Sequence, residues 1–227
     1  MVWLSKEQVT KGTLLSMLLS TIFLAGCDTS NSDGDDSSDG GYIQFYNVSA
    51  NSPAIFVTVD EDLDSSEDNE VENTYSSVEY TQSSGRNELD DGEYFIELGW
   101  QDEDSSARDD LTVIYQAPLE ISDENISLFV LAEDITSPVV FQYDVAVIDD
   151  DNDDDEDLFN LRFLYFHKVF GDIDIYASQH DETFNEAELL TSATYSELSS
   201  NLKLEQGDYV FYLTRSGETE VLFQSSD

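Results

Sequence analysis

Apart from its carboxylates, this chain offers few side chains that could do chemistry. Cys27 is the only cysteine, so no disulfide can form within the chain and any fold must be held by packing. It follows directly on Leu24-Ala25-Gly26. His167 and His180 are the only histidines, and a zinc site or a nucleophilic triad needs more convergent partners than these. His167 is expected to cap or bond a strand end. Paired carboxylates can hydrolyse a glycosidic bond only at a fixed separation inside a cleft. With 51 acidic residues in the chain, the existence of such a pair carries no information. No Gly-x-Ser-x-Gly elbow, phosphate loop or zinc-ligand spacing occurs, and the expectation is that the chain is not an enzyme. Hard cations suit it better, because they take several carboxylate and carbonyl oxygens. Two segments are dense in such oxygens, Asp149–Asp157 (DDDNDDDED) and Asp60–Glu72, and neither has the EF-hand glycine at the sixth place. Asp149, Asp151, Asp153 and Asp155 are therefore candidates for weak divalent binding, with calcium the one cofactor in view. Trp100, beside Asp102–Asp104, is the candidate for stacking on a sugar. A lone Trp at a strand end more often packs.

The elements that would position these residues read as strands. Ile55, Val57 and Val59 alternate with Phe56 and Thr58; Tyr94, Ile96 and Leu98 alternate with Glu93, Phe95 and Glu97. Leu111, Val113 and Tyr115 continue the pattern, as do Ile126, Leu128 and Val130, and then Val139 through Val147. After 149–157 come Leu161, Phe163 and Tyr165, Ile173 and Ile175, and Tyr209, Phe211 and Leu213. Period-2 alternation of aromatic and β-branched residues is the pattern of half-buried strands, and many short strands separated by Gly, Asn, Asp and Ser indicate a sandwich. Glu186–Leu190 could form a single helical turn. The halves also repeat. Leu89-Asp90-Asp91-Gly92-Glu93-Tyr94 is matched by Leu204-Glu205-Gln206-Gly207-Asp208-Tyr209, and Phe45, Ile55 and Val57 by Phe163, Ile173 and Ile175. Gly92 and Gly207 are expected to supply a positive φ in a tight turn. The following Tyr is expected to bond back to that turn, as in a tyrosine corner.

The N-terminal segment has its own logic. Lys6 and Lys11 precede the apolar run Thr13 to Gly26, which is too short for a comfortable membrane span. The sequence Leu24-Ala25-Gly26-Cys27 resembles the lipobox of bacterial lipoproteins. That resemblance implies cleavage after residue 26, lipidation of Cys27, and an envelope protein held to a membrane only through its lipid. Asp28 after the cysteine resembles the inner-membrane retention signal of enteric bacteria. The rule differs between lineages, so the periplasmic or outer face and the choice of membrane stay open. Residues 27–41, rich in Ser, Asp and Gly, read as a flexible tether spanning about 20 Å as a coil.

From residue 27 onward the chain keeps 50 acidic and 6 basic residues, a formal charge of −44. Nucleic-acid binding, which needs basic side chains on phosphates, is excluded as an expectation. Docking on anionic head groups is excluded with it. Such a surface suits a saline habitat, where salt shortens the self-repulsion.

A second resemblance covers the strands. Tyr46-Asn47-Val48-Ser49-Ala50-Asn51-Ser52-Pro53-Ala54-Ile55-Phe56-Val57 resembles the opening of a bacterial domain family of unknown function, found as tandem sandwich modules on secreted and surface-anchored proteins. Its pattern is an apolar strand, a His or Asn, a Ser-Pro turn, and an apolar–Asp–apolar strand. The second copy keeps His167 and Ile173-Asp174-Ile175 but lacks the prolines. The resemblance implies a fold and a location, with no established activity.

The expected architecture is all-β: two tandem immunoglobulin-like β-sandwich modules at 42–148 and 158–227, joined by an acidic linker at 149–157, after a signal peptide at 1–26 and a disordered acidic tether. The second module is expected to be shorter. Only Glu220–Gln224 follows its Tyr209–Leu213 strand, as Leu111–Tyr115 follows the first, so it should borrow a strand or pack on the first module, with Val139–Ile148 as the shared element. Two function classes follow. One is a non-catalytic binding or adhesion module with a protein or glycan partner. The other is a structural envelope lipoprotein without a specific ligand, or a weak calcium binder.

Overall fold

The computed structural model describes residues 21–25, 40–61, 72–101, 111–122, 125–147 and 158–225. Cys27, most of the tether, most of Asp60–Glu72 and the whole 149–157 segment lie outside the described residues. The fold is all-β, as the alternation predicts, with no α-helix among the described residues. Its strands are β1 (Thr21–Ala25), β2 (Gly40–Asn47), β3 (Ile55–Asp60), β4 (Glu72–Val78), β5 (Asn87–Asp90), β6 (Gly92–Trp100), β7 (Thr112–Ile121), β8 (Asn125–Ala132), β9 (Val139–Ala146), β10 (Leu158–Tyr165), β11 (Ile173–Gln179), β12 (Glu188–Ala193), β13 (Leu202–Glu205), β14 (Tyr209–Arg215) and β15 (Val221–Gln224). They divide into two compact units, one of residues 32–149 and one that joins residues 1–31 to 150–227.

In the unit of residues 32–149 one sheet runs β5-β2-β8-β9 and the other β4-β3-β6-β7. Phe45, Ile55, Val57, Val59, Ile96, Leu98, Phe129 and Leu131 are buried in its core. The inward parity of Ile55–Val59 and Tyr94–Leu98 is the one the alternation gives. Two other readings need correction. Val113 is 45% exposed and Ile114 packs on the core instead, because the β6–β7 ladder shifts register between Leu98 and Gly99. A bulge of one residue turns every side chain beyond it to the opposite face. On β8 the core takes Phe129 and Leu131, while Leu128 and Val130 are buried outside that cluster. This strand lies between β2, which it pairs in parallel, and β9, and both of its faces are apolar.

The second unit has sheets β1-β10-β13 and β12-β11-β14-β15, closed over Leu161, Phe163, Tyr165, Ile173, Ile175 and Leu213. Its pairings repeat those of the first. Gly40↔Asp90 through Ile43↔Asn87 corresponds to Leu158↔Glu205 through Leu161↔Leu202. Val57↔Leu98 corresponds to Ile175↔Leu213. Even the bulge returns: β14 and β15 shift register between Leu213 and Thr214, with Leu222 in the place of Ile114. The Phe45 N–H donates to Ser84 Oγ at 2.9 Å, and the Phe163 N–H to Ser199 Oγ at 2.8 Å.

The units differ at one edge. Against β2 lies β8, in parallel. Against the same side of β10 lies β1, antiparallel, from Thr21↔Tyr165 to Ala25↔Leu161. The helical turn read at Glu186–Leu190 is also corrected. A 3₁₀ turn occupies Phe184–Glu186 under a Thr183–Glu186 capping box, and Glu188–Leu190 belongs to β12. The turn sets Phe184 against Tyr176 and Tyr212, with ring centroids 5.3 and 5.4 Å apart.

Candidate functional site

Trp100 ends β6 opposite Thr112 and packs, partly buried, against the core of its unit. The structure gives it a packing role. The four aspartates expected to bind calcium, and Cys27, expected to be lipidated, lie outside the described residues, and no metal-holding group of His, Cys, Asp or Glu occurs among the described ones.

His167 does not cap. It stands before the 3₁₀ turn Lys168–Phe170 without a side-chain capping bond, and its ring stacks on Phe170 at 4.5 Å. Its Nδ1 is buried without a hydrogen-bond partner, and burial lowers its pKa below the ordinary value. In the shared register His167 corresponds to Ser49, while Asn47 corresponds to Tyr165. The two residues that looked alike in sequence are thus two places apart in structure. Asn47 does the work expected of the motif. Fully buried at the end of β2, it donates from Nδ2 to Val78 O at 3.0 Å and Ser52 Oγ at 3.2 Å. Its Oδ1 accepts the Ser49 N–H at 3.2 Å. One amide therefore fixes the Ser-Pro turn to the end of β4.

Tyr94 and Tyr209 close the corners as expected, their hydroxyls donating to Asp90 O at 3.0 Å and Glu205 O at 2.9 Å. The role given to the glycines was wrong. Only Gly171 and Gly217 among the described glycines have positive φ. At Gly92 a Cβ would come within 3.1 Å of the Tyr94 ring, and at Gly207 within 3.4 Å of the Tyr209 ring. At Gly92 glycine lets the ring lie over the backbone, whereas at Gly207 a Cβ would make ordinary van der Waals contact. The positive φ falls instead at Thr81 (68°) and Ser196 (60°), again at matching places.

Two carboxylates that sequence reasoning did not single out for chemistry are the most strongly tied. Asp174, buried on β11, accepts from Ser192 Oγ at 2.7 Å and from the Gly217 N–H at 2.8 Å. Burial would raise its pKa, but the bonds from Ser192, Gly217 and Ser216 outweigh this and hold it below the ordinary value. A lone Asp between two inward isoleucines was the available signal. Asp134 is exposed and accepts from Thr136 Oγ1 at 2.7 Å, the Thr136 N–H at 3.0 Å and Asn51 Nδ2 at 3.0 Å. The Thr136 bonds, with Asn51 after them, lower its pKa to about 2. Both carboxylates close loops, and each is aimed at protein donors. Searches of protein-family models, curated proteins and solved structures find no match to this chain.

Proposed function

We propose that this chain is a lipid-anchored protein of the bacterial cell envelope, acting there as a non-catalytic binding or adhesion module on an acidic tether. One observation carries the reading: Leu24-Ala25-Gly26-Cys27 stands behind a basic start and a short apolar run, with the chain's only cysteine at the cleavage position. Two acyl chains would hold the protein at the membrane, each buried methylene contributing about 0.8 kcal/mol. The sandwich units would then stand off the surface on the acidic residues between Cys27 and the start of β2 at Gly40. The tied side chains of Asp134, Asp174 and Asn47, each within its own unit, support a scaffold in which polar side chains fix loops.

A structural envelope lipoprotein without a ligand is the second reading. It is favoured by the scatter of the exposed apolar residues, since Val113, Val139, Val169, Leu189 and Val221 lie on five different elements. Separate exposed side chains need no partner. Replacing Cys27→Ser tests the anchor. The variant should lose incorporation of a labelled fatty acid and leave the membrane fraction. Quantitative membrane partition of the serine variant would refute the lipid anchor.

A further inference from the structure

We propose that the side of β10 on which β1 is seated is a strand-acceptor site, whose occupant after removal of residues 1–26 is an uncharged, extended apolar segment of a different exported protein, paired antiparallel to β10. The inference deepens the binding-module reading and rests on it. The observation beneath it is the seat of β1. Thr21-Ile22-Phe23-Leu24-Ala25 carries no charge and pairs along β10 over five residues. The matching side of β2 is filled by β8, so the shared arrangement of strands puts a neighbour on both sides of this position. The segment that fills it beside β10 belongs to the run that the lipobox reading removes.

Which backbone groups would be exposed follows from the hydrogen bonds already given. The Phe163 N–H points toward Ser199, Phe163 O accepts from the Ser199 N–H, and Tyr165 O accepts from the Ser196 N–H. Backbone groups alternate sides along a strand, so those of Arg162 and Leu164 face β1. Their opposite residues are Leu24 and Ile22. Without β1 these donors and acceptors open onto an edge. An edge of this kind is a template for a further strand, with main-chain bonds giving affinity and alternate side chains giving selectivity. A second copy of the chain is the wrong occupant on charge, because it would bring a further formal charge of −44 from residue 27 onward. An uncharged segment like the one now seated avoids that repulsion.

The test uses the full chain carrying Ile22→Pro with Leu24→Pro, which removes both N–H donors that β1 directs at β10. The probe is a fluorescent peptide of residues 20–26 with two lysines at each end. The double variant should bind it saturably at one site, and the amides of Arg162 and Leu164 should exchange slowly only when it is bound. The unaltered chain, its edge occupied, should not bind. N-methylation of the peptide at the residues matching Ile22 and Leu24 should weaken binding about tenfold or more, while N-methylation at Phe23 should change it little. All three peptides carry the same charge, so the acidic surface cannot produce the difference. If the double variant loses its near-ultraviolet dichroism, the unmethylated peptide should restore it by mass action. Equal binding by both chains, equal binding by the methylated peptides, or failure to restore a lost fold would each overturn the proposal. Self-association of the double variant that the peptide cannot compete would overturn it too, in favour of a second copy. Membrane fractionation of the Cys27→Ser chain reports on the lipid anchor separately.

Discussion

Asp174 shows how single residues close this fold. Its carboxylate joins β12, through Ser192, to the turn after β14, through the Gly217 N–H. Replacing it by Ala would leave that N–H and the serine hydroxyl without their acceptor, a loss of about 2–3 kcal/mol, seen as a fall in Tm of about 10 °C. Asp174→Asn keeps an acceptor oxygen and should lose less. The lowered pKa values of Asp134, Asp174, Glu186 and His167 all act in one direction with pH. Each contributes stability that is fully present above its ordinary pKa and is lost as pH falls through the folded value. Stability should therefore decline on acidification, first as His167 charges below its ordinary 6.5, then as the carboxylates protonate. The acid branch of the Asp174→Ala stability profile should be shallower than that of the unaltered chain. If the two branches superimpose, Asp174 is not a contributor. At the alkaline end burial raises Tyr46, Tyr143 and Tyr165 to about 12. Their contribution is present below about 10 and disappears as pH rises toward 12, which an absorbance titration of the tyrosines checks.

At the scale of elements, the sequence shows where strands are and, for most of them, which face is inward. Tyr94–Leu98 keeps strict alternation because it pairs regularly on both sides over those residues. Ile55–Val59 keeps it although its ladder with β4 shifts between Ile55 and Val57, because the extra residue of that irregularity lies on β4. The alternation at Leu111–Tyr115 misleads because a bulge is a property of the ladder and leaves no mark in one strand's sequence. On β8 both parities are apolar, Leu128 and Val130 as well as Phe129 and Leu131, so period 2 cannot choose a face. Its parallel pairing with β2 is equally silent in sequence. The repeated corner was legible as Leu-x-x-Gly-acid-Tyr, yet the reason for its glycine was not. That reason is the Tyr94 ring over the backbone, a contact that exists only once the strand has turned. These differences have measurable consequences. Leu128→Ala and Leu131→Ala should each cost about 2–4 kcal/mol by urea denaturation, although only Leu131 belongs to the core cluster. Leu189→Ala, on an exposed position of β12, should cost less than about 0.5 kcal/mol. A Leu128→Ala cost as small as that of Leu189→Ala would mean that the second face of β8 is solvated. At the corners, Tyr94→Phe should cost about 1 kcal/mol and Tyr209→Phe less, because Tyr94 is the more buried of the two.

For the whole molecule the governing quantity is charge, and it is unevenly spread. Residues 158–227 carry 12 of the acidic residues and 4 of the basic ones, while residues 27–157 carry 38 and 2. Among the described residues the cations do more than balance charge. Arg86 lies over the Tyr42 ring at 5.5 Å, Lys168 over Tyr195 at 4.7 Å, and Arg215 over Phe170 at 5.5 Å, contacts worth about 0.5–1 kcal/mol each at exposed positions. They are too few to offset the repulsion among the carboxylates, so screening has to come from the solvent. The screening length falls from about 8 Å at physiological strength to about 3 Å at 1 M salt. Tm should therefore rise steadily with sodium chloride. The divalent ions decide what the aspartates at 149, 151, 153 and 155 do. If they only add to the general field, calcium and magnesium at equal concentration should raise Tm equally, since both screen by charge alone. If they form a site, calcium should act at micromolar levels and magnesium should not, because calcium accepts a flexible shell of six to eight oxygens while magnesium holds its waters. Replacing these four aspartates by Asn would then abolish the calcium preference and leave the sodium chloride response in place. A Tm indifferent to all three salts would show that repulsion does not limit this fold and that no cation site supports it.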